Sequence, residues 1–165
     1  MKKQCMVILV DNNAGVLARV SSLFMQRGFN IDSLTVSSTE NPKISRITVM
    51  STGDQKVFNQ ILKQTGKLVE TRMIFSVEPS FSLIRELLLV KFNSNYGSMD
   101  ALKKIIEEYG ANIIDTTGGC FVAELSASSD KIDDFLEATE AFEMVEMCRS
   151  GAIAMDRGKV DYDIE

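Results

Sequence analysis

The sequence has 165 residues, a formal charge of −5, 45% apolar and 25% charged residues, three Cys, and neither His nor Trp. Its acidic balance argues against a nucleic-acid partner, because phosphate binding needs a basic footprint, and the lack of His removes the usual neutral-pH general base and the commonest metal ligand. The length suits one domain or two of about 80 residues that are marginal alone; no segment is long enough to span a membrane and residues 5–10 are too short for a signal-peptide core, so no membrane partner and a cytoplasmic location are expected.

The first strand is expected over residues 4–11, apolar on both faces. A helix follows, with Val16, Val20, Leu23 and Phe24 at helical spacing and Gly28 just past its end, where a left-handed residue is cheap only for Gly. Residues 30–39 are rich in β-branched side chains and read as a second strand. Pro42 centres a turn, and residues 44–51 return as the third strand of a hairpin. Asp54 is placed to cap a second helix carrying Val57, Phe58, Ile61 and Leu62, closed by Gly66. Residues 67–77 then alternate as a fourth strand. Strand, helix, strand, strand, helix, strand implies an antiparallel sheet with both helices on one face, the ferredoxin-like arrangement.

Residues 78–82, EPSFS, hold one of only two prolines and suggest a linker. The element order then repeats. Residues 85–93 read as a strand. Ser98 caps a helix with Leu102, Ile105, Ile106 and Tyr109 inward, and Gly110 ends it. Gly118 and Gly119 form a hairpin turn between two strands. Ser129 caps a helix bearing Ile132, Phe135 and Leu136, and residues 144–155 supply a last strand. The expected class is α+β, with two ferredoxin-like βαββαβ units at 1–77 and 85–158, a linker at 78–84 and a polar tail at 159–165. Cys5, Cys120 and Cys148 are odd in number, far apart and set among apolar residues, which reads as small buried hydrophobes. No metal site and no catalytic group stand out.

The corner at residues 10–20, VDNNAGVLARV, asks for more. A helix starts with N–H groups that have no partner inside it, and together with the helix dipole they favour an anion. Asn13 alone suffices as an ordinary cap. Asn12 and Asn13 together exceed that need, and Gly15 is expected inside the first turn, where Gly costs about 0.5–1 kcal/mol relative to Ala. Close approach of a ligand to the backbone explains such a glycine. Ala14 and Ala18 keep the surface beside it small, so the corner suits a carboxylate or phosphate. Asn30, at the mouth of the second strand, is either a loop residue tolerant of unusual dihedrals or a second polar contact. The two ends of one helix are far apart, so one small ligand reaches both most easily where two copies meet.

Residues 12–36 resemble the opening of an ACT domain, a small-molecule-sensing module, and residues 41–49 continue the match. RELLLVKF at 85–92, IIDTT at 113–117 and VEMCRSGAIAMDRG at 145–158 extend it. Over residues 4–158 the chain resembles the acetolactate synthase (acetohydroxyacid synthase) small-subunit family. That resemblance implies a non-catalytic regulatory subunit in branched-chain amino acid biosynthesis. It implies a homodimer through the ACT domain and a catalytic large subunit as partner, which it activates. Thiamine diphosphate, Mg and FAD are then expected on the large subunit and no cofactor on this chain. It also implies feedback inhibition by valine or a related amino acid. Asn12, Ala14, Gly15 and Val16 fall at the family's carboxylate-binding loop, Ala18 one turn on, and Asn30 and Ile31 at the segment contributed by the partner chain. Glu146, Arg149, Ser150 and Gly151 match a family segment whose plainer reading is a strand end with a local ion pair.

Alternatives follow from the same residues. A free-standing amino-acid-responsive ACT regulator shares the N-terminal site without the synthase. An acylphosphatase-like hydrolase recruits Arg19 and Asn30 beside the anion-binding corner. RNA binding on the sheet face is opposed by the charge and by the lack of an aromatic pair on central strands. The pairs Glu107-Glu108 and Asp133-Asp134 read as solvated helix faces.

Overall fold

The computed structural model describes residues 2–95 and 97–158; the tail expected at 159–165 lies outside them. The first sheet is built on β1 (Lys2–Asp11), whose antiparallel neighbours are β3 (Ile44–Gly53) and β4 (Thr71–Val77). Beyond β3 lies β2 (Ser33–Ser38), an edge strand, so the order is β2-β3-β1-β4. Alternation along β1 sends Met6, Ile8 and Val10 to the face covered by α1 (Val16–Gln26) and α2 (Gln55–Thr65). There they meet Val16, Val20 and Phe24 of α1 and Phe58 and Ile61 of α2. Phe29 joins them, its ring 5.6 Å from that of Phe24 and 6.3 Å from that of Phe58.

The opposite face of β1 is buried as well, at Cys5, Val7 and Leu9, which is why this strand is apolar throughout. A late segment of the chain lies against this side. Arg46 donates from Nη2 to the Ala154 carbonyl at 2.6 Å, and its guanidinium sits 5.8 Å from the centroid of the Phe75 ring. Ala152 N–H donates to Ser33 Oγ at 3.4 Å. β9 (Ile153–Asp156) pairs with β5 (Ser82–Asn93), and the Ser82 hydroxyl donates to Asp156 at 2.7 Å.

The chain accordingly divides into two compact units. One comprises the residues up to Leu83 together with the segment from Ala152, and the other comprises Ile84–Gly151. Against the expected ranges 1–77 and 85–158, the boundaries fall at Leu83 and Gly151. The second sheet has the order β6-β7-β5-β8, the same path as the first, with β6 (Asn112–Asp115), β7 (Cys120–Ala127) and β8 (Met144–Arg149). α3 (Met99–Tyr109) and α4 (Ser129–Ala138) cover one face, closing a core of Leu88, Val90, Phe92, Leu102, Ile106, Phe121, Leu125, Ile132 and Phe135. The fold is α+β with two βαββαβ arrangements.

Several local expectations change. Residues 144–155 form two strands, because Gly151 adopts φ +79° and turns the chain between β8 and β9. Ser128, not Ser129, caps α4, accepting from Lys131 N–H at 3.4 Å. Ser129 instead donates its hydroxyl to Glu86. β4 begins at Thr71, since residues 67–70 still turn after α2. The EPSFS stretch is a short 3₁₀ turn, Pro79–Phe81, running straight into β5. Cys5 is buried as expected, Cys120 is half-buried, and Cys148 is exposed on the edge strand β8. Arg149 and Glu146 do not pair with each other. Arg149 bonds the buried Glu86 and reaches Asp133 at 2.7 Å, whereas Glu146 takes Lys91 at 2.5 Å.

Burial pushes the Cys5 thiol up to about 12 from its usual 9.0, partly offset by Arg46. The folded chain therefore keeps this proton at pH values where the unfolded chain loses it, and stability falls as pH rises from 9.0 toward about 12. A thiol-alkylating reagent at mildly alkaline pH should label Cys148 and spare Cys5 in the native protein, with the difference abolished in urea; peptide mass spectrometry reads both. Arg149→Ala leaves Glu86 buried without its cation and should lower the unfolding free energy by about 2–3 kcal/mol, measured in denaturant titrations.

Candidate functional site

α1 begins without a lid. Its cap residue is Gly15, at φ +88° and ψ −11°, and no side chain caps the helix. Asn13 does not act as a side-chain cap; its carbonyl accepts from Val16 N–H at 3.4 Å. The backbone N–H groups of Gly15, Leu17 and Ala18 meet no backbone acceptor outside the helix among the described residues. Three donors thus lack a backbone partner at the start of an 11-residue helix, whose dipole favours negative charge there.

The role of Gly15 differs from the expectation. It stands at the cap and not within the first turn, and its left-handed dihedral is one that L side chains rarely adopt. A Cβ built there meets nothing within 4 Å. Space beside residue 15 is therefore open in the single chain, and it is the backbone conformation that demands glycine. Asn12, Ala14 and Ala18 are exposed around it. Val16 is buried at 6% exposure and belongs to the core, so only its backbone borders the corner.

Asn12 is fixed from the other side. Its backbone N–H donates to the Lys43 carbonyl at 2.7 Å and its Nδ2 to the Pro42 carbonyl at 2.9 Å. The β1–α1 corner is thereby joined to the tip of the β2–β3 hairpin. Between them lies a cavity of about 610 Å³ lined by Asp11, Asn12, Asn13, Asn41, Lys43 and Arg72, among others. Asp11 and Arg72 neutralise each other across its rim at 2.7 Å. The pair raises the Arg72 pKa through the hydrogen bond from its side chain to Asp11 and through the charge of that carboxylate.

Five of the candidate residues, Asn12, Ala14, Gly15, Val16 and Ala18, come together at this corner. Asn30 and Ile31 do not. Asn30 donates to Asp32 at 3.0 Å, Asp32 in turn accepts from Thr52, and Ile31 is half-buried against the core. Ser33 pairs with Met50, while Asp11 pairs with Ile44, so the two groups lie at opposite ends of β3. With a rise of about 1.5 Å per residue, the intervening helix alone separates them by roughly 16 Å. Arg19 and Asn30 engage different carboxylates, Glu70 and Asp32, and do not form a joint anion cradle in one chain.

The corresponding helix start of the second unit carries a side-chain cap. Ser98 caps α3 by accepting from Ala101 N–H at 3.4 Å. The hairpin side chains Thr39 and Asn41 and the rim residue Arg72 went unmarked in the sequence, where ENPK reads only as a turn. The available signal is an Asn two residues before a lysine N–H, the spacing of an Asx turn.

Two family models cover the chain. The AHAS small subunit-like ACT domain matches residues 6–73, and the small subunit of acetolactate synthase matches residues 85–158. The acetolactate synthase isozyme 3 small subunit of Escherichia coli is 37% identical over 157 residues, 94% of this chain and 96% of that protein. The probable acetolactate synthase small subunit of Archaeoglobus fulgidus is 37% identical over 156 residues, 94% of this chain and 98% of that one. The crystal structure of the Thermotoga maritima acetolactate synthase small subunit superposes with a TM-score of 0.82 at 32% identity, covering 97% of this chain and 100% of that chain.

The left-handed cap has its own test. Gly15→Ala should cost about 1–2 kcal/mol through the backbone alone. Gly53→Ala, at an ordinary dihedral with equally free space, should cost much less. Denaturant unfolding of the two variants measures the difference.

Proposed function

The chain belongs to the acetolactate synthase small-subunit family, and from that membership we propose that it activates a thiamine-diphosphate-dependent large subunit and makes it inhibitable by valine or a related amino acid. The observation that carries the effector part is the uncapped first turn of α1 with Gly15 left-handed and nothing beside it. The effector's carboxylate takes the N–H groups at Gly15, Leu17 and Ala18. Its ammonium takes an amide oxygen, from Asn12 or from Asn30. Each charge-assisted hydrogen bond shielded from water contributes about 1.5–3 kcal/mol. Ala14 and Ala18 leave room for the ligand, and Ile31 offers an apolar wall for an aliphatic side chain.

The separation of Asn12 from Asn30 supports a site completed by a second copy, because a free amino acid is far shorter than α1. The homodimer forms through the ACT domain, with the Asn30–Ile31 end of one copy facing the Gly15 end of the other. Two features are consistent with a covered surface: β2 is an edge strand, and Leu17 and Met25 are 41% and 74% exposed on α1. Feedback then follows from linkage. Valine inhibits if it binds the inhibited arrangement of the two copies more tightly than the active one. Thiamine diphosphate, Mg and FAD belong to the large subunit in this reading, and no residue of this chain is assigned to them. The pathway served is branched-chain amino acid biosynthesis, in the cytoplasm.

Reconstitution with the large subunit from the same source, with and without valine, tests the proposal. The wild-type chain should raise large-subunit activity, and valine should reverse the gain. Gly15→Asp places a carboxylate where the effector's acid group sits, and it should activate while losing valine inhibition. Failure to activate removes the subunit reading. Full activation with valine inhibition retained in Gly15→Asp removes the assignment of the corner.

A further inference from the structure

Asn12 is gripped by a hairpin tip that two side chains hold in shape. The Thr39 hydroxyl lies 3.0 Å from the Asn41 carbonyl and 3.1 Å from the Ile44 carbonyl, and it accepts from Asn41 N–H at 3.2 Å. Asn41 Oδ1 accepts from Lys43 N–H at 3.0 Å. Backbone bonds from Ile44 N–H to the Asn41 carbonyl at 2.9 Å and from Thr39 N–H to the Ile44 carbonyl at 3.0 Å complete the tip. Its two outward carbonyls, at Pro42 and Lys43, are the acceptors for Asn12.

A carbonyl only accepts, so the Asn12 side chain must present nitrogen to Pro42. Its Oδ1 then faces away from that bond, available to an ammonium. Without the tip, the Asn12 amide is free to rotate and to present either atom. The tip therefore sets both the direction and the chemical polarity of the Asn12 side chain.

We propose that Thr39 and Asn41 are positioning residues for the amino-acid effector, holding the Pro42 and Lys43 carbonyls that orient Asn12. This rests on the reading of Asn12 as an effector contact. Neither residue touches the effector; both act through the hairpin. Affinity for the effector thus depends on side chains outside the β1–α1 corner, on the connection between two strands that leads to the sheet edge.

Calorimetric titration of the full-length protein with valine tests the inference. Asn41→Ala removes the acceptor of the Lys43 N–H and should weaken valine binding about threefold to tenfold, the range that one hydrogen bond supplies. Asn41→Asp keeps an acceptor at the same place and should restore wild-type affinity. Thr39→Val removes the hydroxyl at nearly constant shape and should weaken binding likewise, with Thr39→Ser restoring it. Circular dichroism of each variant confirms folding, and the second pair stands in for the first if either fails to fold. Two results overturn the inference: wild-type affinity in both Asn41→Ala and Thr39→Val, or conservative variants as weak as the disruptive ones. Absence of valine binding by the wild-type chain overturns the effector reading itself, an outcome distinct from equal binding by all five proteins.

Discussion

One left-handed residue governs the N-terminal unit's candidate chemistry. With φ at +88°, Gly15 swings the chain from the end of β1 into α1 so that the helix starts with no side chain over its first turn. The other three α-helices of the described residues have a different start: Asp54, Ser98 and Ser128 each accept from backbone N–H of the turn they begin. Those three caps satisfy part of the helix's own demand. Among the α-helices of the described residues, only α1 has no side-chain cap, and it starts at the corner where Asn12 is bonded to the hairpin.

The two units show how little topology says about function. Both sheets follow the same path, both carry two helices on one face, and both close aromatic-containing cores. One difference lies at the corner that precedes the first helix of each. In the second unit, Ser98 caps the helix start, and a Cβ at Gly97 would lie 3.2 Å from the Phe142 ring. In the first, glycine and asparagine replace the capping group. A shared scaffold thus carries an uncapped helix start in one unit and a side-chain-capped one in the other.

Local chemistry was legible in the sequence, and long-range placement was not. Asp54 and Ser98 announce their helices because a cap is satisfied within a few residues of itself. The helical spacing of Val16, Val20 and Phe24 marks the buried stripe for the same reason. The sequence pattern singles out Gly15 but does not put it at the cap, since a neighbouring residue serves equally well on pattern alone. On pattern alone Ser129 serves as a cap as well as Ser128 does, and the partner that decides between them, Glu86, is 43 residues away. Cys148 sits in an apolar run, yet the run forms an edge strand, so its neighbours do not bury it. The family was legible from motifs spread along the chain. The hairpin's grip on Asn12 was not, because it joins residues 30 positions apart.

The return of the segment from Ala152 to the first unit orders events on the ribosome. β1, β3 and β4 emerge early, but the carbonyl that takes Arg46 and the small residues lying against their outer face follow only after the whole second unit has been made. A nascent chain must therefore carry the N-terminal sheet with its outer face incompletely covered, Leu9 and Val7 lacking part of their final surroundings, through the translation of Ile84–Gly151. The unit that starts first finishes last, and a chain cut short after the second unit loses a piece of the first.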